Sequence, residues 1–137
     1  MAERIQLDVI TPERRLVSES VDSVTVPGLG GELGILPGHT PLISQLRSGV
    51  LSYTQGATTR RLLVSGGFVE VNGERVSVLA DMAETPDEID AARARLEREQ
   101  AERALNGFSG APEELERVRA ELERANARLQ LASDSTR

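Results

Sequence analysis

The chain contains no cysteine and no lysine, and it has a single histidine and three aromatic residues. The absence of cysteine excludes a disulfide framework and any thiolate-bound metal. One histidine, His39, is too few for a histidine-built metal centre. Tyr53, Phe68 and Phe108 offer no platform on which nucleobases could stack. Positive charge is also short: 16 arginines face 22 acids, for a net charge of −6. The deficit is spread evenly, with 7 Arg against 10 acids in residues 1–84 and 9 against 12 in residues 85–137, or −3 in each. A nucleic-acid surface needs the opposite balance. No apolar run nears the roughly 18 residues of a membrane span, and Met1-Ala2-Glu3-Arg4 opens no signal-like stretch. These absences predict a protein that is soluble, or held at a membrane only through partners.

What is present divides near Thr85-Pro86. The 137 residues suffice to bury about two-thirds of the unfolded surface without covalent staples. Before the division, short β-branched segments alternate between glycine- and proline-containing turns. Ile5, Leu7 and Val9 alternate with Gln6 and Asp8, the period of a half-buried strand, and Val24 and Val26 repeat it. Val50–Thr54 and Thr59–Val64 flank Gln55-Gly56-Ala57-Thr58, which reads as a hairpin with a four-residue loop. Asn72-Gly73 between Phe68–Val71 and Glu74–Leu79 predicts a type I′ turn with two positive-φ residues. Short strands with turns between them and no βαβ spacing predict a β-sandwich or flattened barrel.

After the division, Ala, Glu, Arg and Leu recur at helical spacing. Thr85, Pro86 and Glu88 form a capping-box start for a helix expected to run to Leu105, with Asn106-Gly107 ending it. Its apolar stripe is thin: Ile89, Ala92 and Leu96, then Gln100. Pro112 opens a second helix with Leu115, Val118, Leu122, Ala125, Leu129 and Ala132 in 3-4 spacing. The short connection predicts an antiparallel helical hairpin over residues 85–137, following a sandwich over residues 1–84.

Two motifs invite chemistry. Gly28-Leu29-Gly30-Gly31-Glu32-Leu33-Gly34 resembles a phosphate loop, but Leu33 stands where a third glycine belongs and no helix opens behind it. It reads instead as a turn-rich loop. His39 has no nucleophile beside it, and neither an elbow motif nor a metal-ligand cluster appears, so nothing in the sequence supports a catalytic role.

Gly31-Glu32-Leu33-Gly34-Ile35-Leu36-Pro37-Gly38-His39-Thr40-Pro41-Leu42 resembles the G-E-x-G-I-x-P-x-H-x-P-L signature of the epsilon subunits of bacterial-type F-type ATP synthases. Leu7–Arg14, Ser65–Val71 and Val78–Asp81 resemble further motifs of that family, in the same order. The resemblance implies a sandwich of about ten strands followed by two antiparallel helices. It also implies a non-catalytic central-stalk subunit of a proton-translocating complex. The implied partners are the gamma shaft, the membrane rotor ring of c subunits, and the catalytic alpha and beta subunits through the C-terminal helices. Glu32 and His39 are then ring-contact residues, expected in an outward-facing loop at one end of the sandwich. The implied location is peripheral, on the cytoplasmic side of the cell inner (plasma) membrane, with no direct membrane insertion.

Ile89-Asp90-Ala91-Ala92-Arg93-Ala94 resembles the I/L-D-x-x-R-A motif through which some bacterial members bind ATP, and Arg124 and Arg128 match the second-helix arginines used there. The resemblance implies no required cofactor and a regulatory role for ATP. The chemistry is coherent, since guanidinium forks suit phosphates and an Asp accepts hydrogen bonds from base or ribose. One further arginine of that motif is Gln100 here, with Arg98 two residues before it. Salt bridges across the helical face are the structural alternative for the same arginines. A freestanding small-molecule-binding β-domain with a helical interaction arm is the competing reading of the whole chain. It leaves the long apolar seam of the second helix without a purpose.

Overall fold

The computed structural model describes residues 3–134. Ten strands precede the helices: β1 (Ile5–Ile10), β2 (Arg15–Val21), β3 (Ser23–Gly28), β4 (Gly31–Ile35), β5 (Leu42–Gln45), β6 (Gly49–Gln55), β7 (Thr58–Ser65), β8 (Phe68–Asn72), β9 (Arg75–Leu79) and β10 (Met82–Glu84). They form two five-stranded sheets, ordered β2-β1-β9-β8-β5 and β10-β7-β6-β3-β4. This is a β-sandwich. Alternation aims Leu7, Val9, Val69, Val76 and Val78 inward from the first sheet, and Val24, Val26, Leu51 and Val64 inward from the second. The ladders are antiparallel except that β1 runs parallel to β9, joining the first strand to the ninth. On the outer side of that pair Arg75 donates to the buried Asp8 carboxylate at 3.0 Å.

Local readings shift in four places. The turn between β8 and β9 is Gly73-Glu74, because Asn72 and Arg75 pair as the last ladder residues. Only Gly73 has positive φ there, the II′ pattern rather than I′. Gln55 likewise pairs with Thr58, which shortens the expected four-residue loop to Gly56-Ala57. The glycine run expected as a loop is a β3–β4 hairpin in which Gly28 opposes Gly31. Gly67 is required by close approach, since a Cβ there would overlap the Leu79 carbonyl oxygen.

The fourth shift concerns the helices. Pro86–Glu88 is a single 3-10 turn that ends at Ile89, and α1 (Ala91–Leu105) begins afresh behind Asp90. Thr85 N–H donates to Glu88 Oε1 at 2.8 Å, so the cap forms but supports one turn only. Asp90 interrupts the helix because its extended backbone lets its carboxylate cap the Arg93 N–H at 3.1 Å. The expected α1 stripe is therefore displaced. Ala94 and Ala101 are buried, whereas Ala92 is exposed and Leu96 is 57% exposed. Small residues at this seam let α1 approach α2 (Pro112–Asp134) closely.

Helix α2 buries Val118 and Ala125 on one side, as the seam predicts, but also Ala127 and Leu131 on another. At 100° per residue Ala127 and Leu131 lie roughly opposite Ala125. They pack with Leu63 of β7, flanked by Val50, Met82 and Ile89. The hairpin is thus folded back against the second sheet.

Candidate functional site

Arg128 ties three elements together. Its guanidinium makes a bidentate pair with Glu84 of β10, at 2.8 and 3.0 Å, and reaches Glu97 of α1 at 3.3 Å. Its side chain is only 17% exposed. The hydrogen bond with Glu84 is the main cause holding its pKa above the ordinary arginine value, against an opposing effect of burial. It is a permanent cation whose partners sit on both the sandwich and the first helix.

A cleft of about 210 Å³ opens beside this pair, lined by Glu84, Glu88, Ile89, Asp90, Arg93 and Glu97 together with Arg128. It gathers four of the six residues expected for ATP: Ile89, Asp90, Arg93 and Arg128. Ala94 is buried, and Arg124 is half-buried on α2 and does not line the cleft. Ile89 packs toward Leu63 and Leu131, while the Asp90 carboxylate is engaged as the α1 cap. Four carboxylates face two guanidiniums in the cleft, a formal −2. The cleft is also smaller than the ~300–1,000 Å³ usual for small-molecule pockets. As folded, the arrangement is a charge-paired joint between sandwich and hairpin.

Two further ion pairs hold that joint, and neither has a local signal along the chain. Glu88 accepts from Arg14 at 2.7 Å. Glu123 of α2 accepts from the Ser48 N–H at 2.9 Å and from Arg47 at 3.0 Å, pinning mid-helix to the β5–β6 connection. Their partners lie more than seventy residues apart, so only the folded chain brings them together. The Arg14 hydrogen bond, and after it those from Thr85, lowers the Glu88 pKa from 4.5 to about 2. A depressed carboxylate pKa contributes stability that is complete above about pH 4.5 and is lost as pH falls through about 2. Side-chain carboxyl titration by NMR is expected to place Glu88 near pH 2, and Arg14→Ala to move the midpoint up toward 4.5. A midpoint unchanged by Arg14→Ala would remove this anchor of the linker.

Glu32 is exposed on edge strand β4, opposite Pro27, rather than in a loop. Its place in a ladder follows from the Gly28/Gly31 turn, which reverses the chain just before it. His39 is half-buried in the β4–β5 connection, its Nδ1 2.7 Å from the Thr40 carbonyl oxygen and its N–H on the Leu36 oxygen. Roughly 10 Å of strand separates Glu32 from the end of β4 at Ile35, and no hydrogen bond joins Glu32 to His39.

The first sheet's outer face carries a different signal. Phe68 and Leu79 are ladder partners, 49% and 50% exposed, and Ile43 on neighbouring β5 is 70% exposed. They lie on the sheet that the hairpin does not cover. Large apolar side chains clustered in water mark an interaction face.

Two family descriptions match the chain: the ATP synthase delta/epsilon chain β-sandwich domain over residues 4–86, and the delta/epsilon long α-helix domain over residues 87–133. The ATP synthase epsilon chain of Geobacter metallireducens is 42% identical over 137 residues, spanning 100% of this chain and 99% of the relative. That of Carboxydothermus hydrogenoformans is 50% identical over 105 residues, or 77% and 78% of the two chains. Among solved structures, a chain of the Euglena gracilis mitochondrial ATP synthase (OSCP/F1/c-ring) aligns with a TM-score of 0.79 at 27% identity, covering 94% of this chain and 81% of that one. Continuous matches across both the sandwich and the helices, with full-length relatives, leave one assignment: the chain belongs to the ATP synthase delta/epsilon family, as an epsilon-type, non-catalytic subunit.

Proposed function

We propose that the sandwich transmits rotation by gripping the gamma shaft with the Ile43–Phe68–Leu79 face and meeting the rotor ring through Glu32 and His39. In the same reading, the hairpin inhibits ATP hydrolysis by leaving the second sheet and reaching the catalytic alpha and beta subunits. The observation that carries the shaft contact is the exposed apolar face on the uncovered sheet. As an ATP synthase subunit the chain is membrane-associated, and among the described residues no helix is long and apolar enough to cross a membrane. Its place is peripheral, on the cytoplasmic side of the inner (plasma) membrane. Exposed Glu32 and half-buried His39 lie outside the sandwich core, as ring contacts require. In the assembled complex, Glu32→Ala with His39→Ala is expected to lower coupled ATP synthesis while the subunit stays bound. Full synthesis and proton coupling in that double variant would end the ring assignment.

Regulatory ATP is a second reading, supported by the convergence of Asp90, Arg93 and Arg128 on one cleft. A triphosphate entering it has to draw Arg128 from Glu84 and Glu97 and bring in Arg124, with Ile89 and Ala94 shaping the wall. ATP bound only to the folded hairpin adds RT ln(1 + [L]/Kd), or ~1.4 kcal/mol at ten times Kd. Calorimetry on the isolated chain is expected to show binding that weakens with Arg93→Ala and with Arg128→Ala, but not with Arg119→Ala, whose side chain faces Glu116. No heat at millimolar ATP, or unchanged affinity in Arg93→Ala, would leave these arginines as salt-bridging residues only.

A further inference from the structure

Strand register sorts the outer face of the uncovered sheet into rows, since paired residues turn their side chains to the same side. One row is apolar: Ile10 of β1 pairs with Leu79 of β9, and Leu79 pairs with Phe68 of β8. The next row runs Asp8, Ser77, Glu70 and Ile43 across β1, β9, β8 and β5. The residues between the two rows, Val9, Val78 and Val69, point the other way and belong to the core.

The two carboxylates of the second row differ. Asp8 is buried and accepts from Arg75 at 3.0 Å and from Gln6 Nε2 at 3.4 Å. Glu70 is exposed and, among the described residues, has no hydrogen-bond or ion-pair partner. Its neighbours are apolar. Ile43 is its ladder partner on β5, Phe68 precedes it by two residues on the same face, and Leu79 lies diagonally across on β9. A surface that closes over Ile43, Phe68 and Leu79 therefore also covers Glu70 and strips water from its carboxylate. Desolvating a carboxylate without a partner is costly, and a cation that donates hydrogen bonds offsets the cost.

We propose that Glu70 is the charged anchor of this face, and that the partner carries an arginine or lysine, set among apolar side chains, to meet it. This rests on the reading of the face as the gamma contact, and it adds the chemistry that gamma must present there. Arg75 cannot neutralise Glu70 from within the sheet, because it is committed to Asp8 in the row's other half. The two kinds of contact divide the work. The apolar row supplies area but no direction, so by itself it lets gamma slide along the sheet. A covered ion pair fixes the register, since a shift by one strand spacing, ~4.8 Å, leaves both charges desolvated and unpaired.

The test measures binding of the full chain to gamma, with circular dichroism to confirm that each variant is folded. Glu70→Leu is the discriminating substitution. It enlarges the apolar patch, so a contact made by apolar side chains alone would tighten, whereas loss of the anchor leaves gamma's cation unpaired. A weakening of roughly thirtyfold or more is expected, mainly as faster dissociation. Glu70→Gln is expected to weaken binding as well. Glu74→Gln, in the β8–β9 turn, makes the same change of net charge and is expected to leave binding unchanged. Tighter or unchanged binding by Glu70→Leu, or an equal loss in Glu74→Gln, would overturn the proposal. If Glu70→Leu is neutral while Phe68→Arg with Leu79→Glu still weakens binding, the apolar gamma face stands and only the anchor falls. If neither changes binding, gamma docks elsewhere and both readings fall.

Discussion

Phe68→Arg combined with Leu79→Glu is expected to weaken association with gamma by about a hundredfold to a thousandfold while leaving the sandwich folded. The two positions face each other across β8 and β9 and are half exposed. Neither contributes to the buried core, whose members on these strands are Val69, Val71, Val76 and Val78. Opposite charges on facing residues preserve cross-strand attraction, so the ladder tolerates the exchange. Docking of gamma through this face would not tolerate it, because each substitution would remove an apolar anchor and introduce a charge that a dry interface must desolvate. Large anchors of this kind are worth roughly 2 kcal/mol or more each. Co-purification of the variant with gamma, beside circular dichroism of the isolated chain, separates the two effects. Wild-type affinity in a folded double variant would place the shaft contact elsewhere on the surface.

Leu131→Asp is expected to release the hairpin, and its effect on ATP hydrolysis should be opposite in sign to that of removing the tail. Leu131 is 1% exposed, between Leu63 of β7 and Ile89 of the linker. A carboxylate there enters the apolar cluster of Leu63, Val50, Met82 and Ile89, and an uncompensated buried charge costs ~3–5 kcal/mol. That exceeds the ~1.5–3 kcal/mol by which a single leucine stabilises the docked state. The Arg47–Glu123 pair does little to offset the loss, since exposed ion pairs contribute about 0–1 kcal/mol each. In the isolated chain, amide exchange across α1 and α2 should quicken without change in β1 or β9. In the assembled enzyme the freed tail should lower ATP hydrolysis, whereas deleting residues 85–137 should raise it. Two changes of the same sign would show that the tail does not act by undocking.

These contacts bear on how far the sequence could be read. The strands with clean alternation in sequence, β1, β6, β8 and β9, are visible because each buries one apolar face against the sandwich core, whereas β7 buries Leu62 and Val64 in that core and Leu63 against the hairpin. β2 is not visible: Arg15-Leu16-Val17-Ser18-Glu19-Ser20-Val21 is mostly exposed, and only its ladder with β1 makes it a strand. The α2 seam was legible, but its second buried face at Ala127 and Leu131 was not, since two residues make no period. The Arg93 and Arg128 positions were legible as a pair of cations. Their acidic company was not, because Glu84 and Glu97 lie 44 and 31 residues from Arg128.

The sequence by itself determined the two-part organisation, the class of each part, the family, and the absence of any thiolate chemistry. Local periodicity, turn residues and a long contiguous motif carry that information without reference to distant residues. Tertiary structure alone decided the parallel pairing of β1 with β9, the docking of the hairpin on β7 and the engagement of Arg128 by Glu84. Each of these depends on side chains or strands far apart in the chain, whose meeting is set by closure of a common core rather than by any neighbour along the backbone.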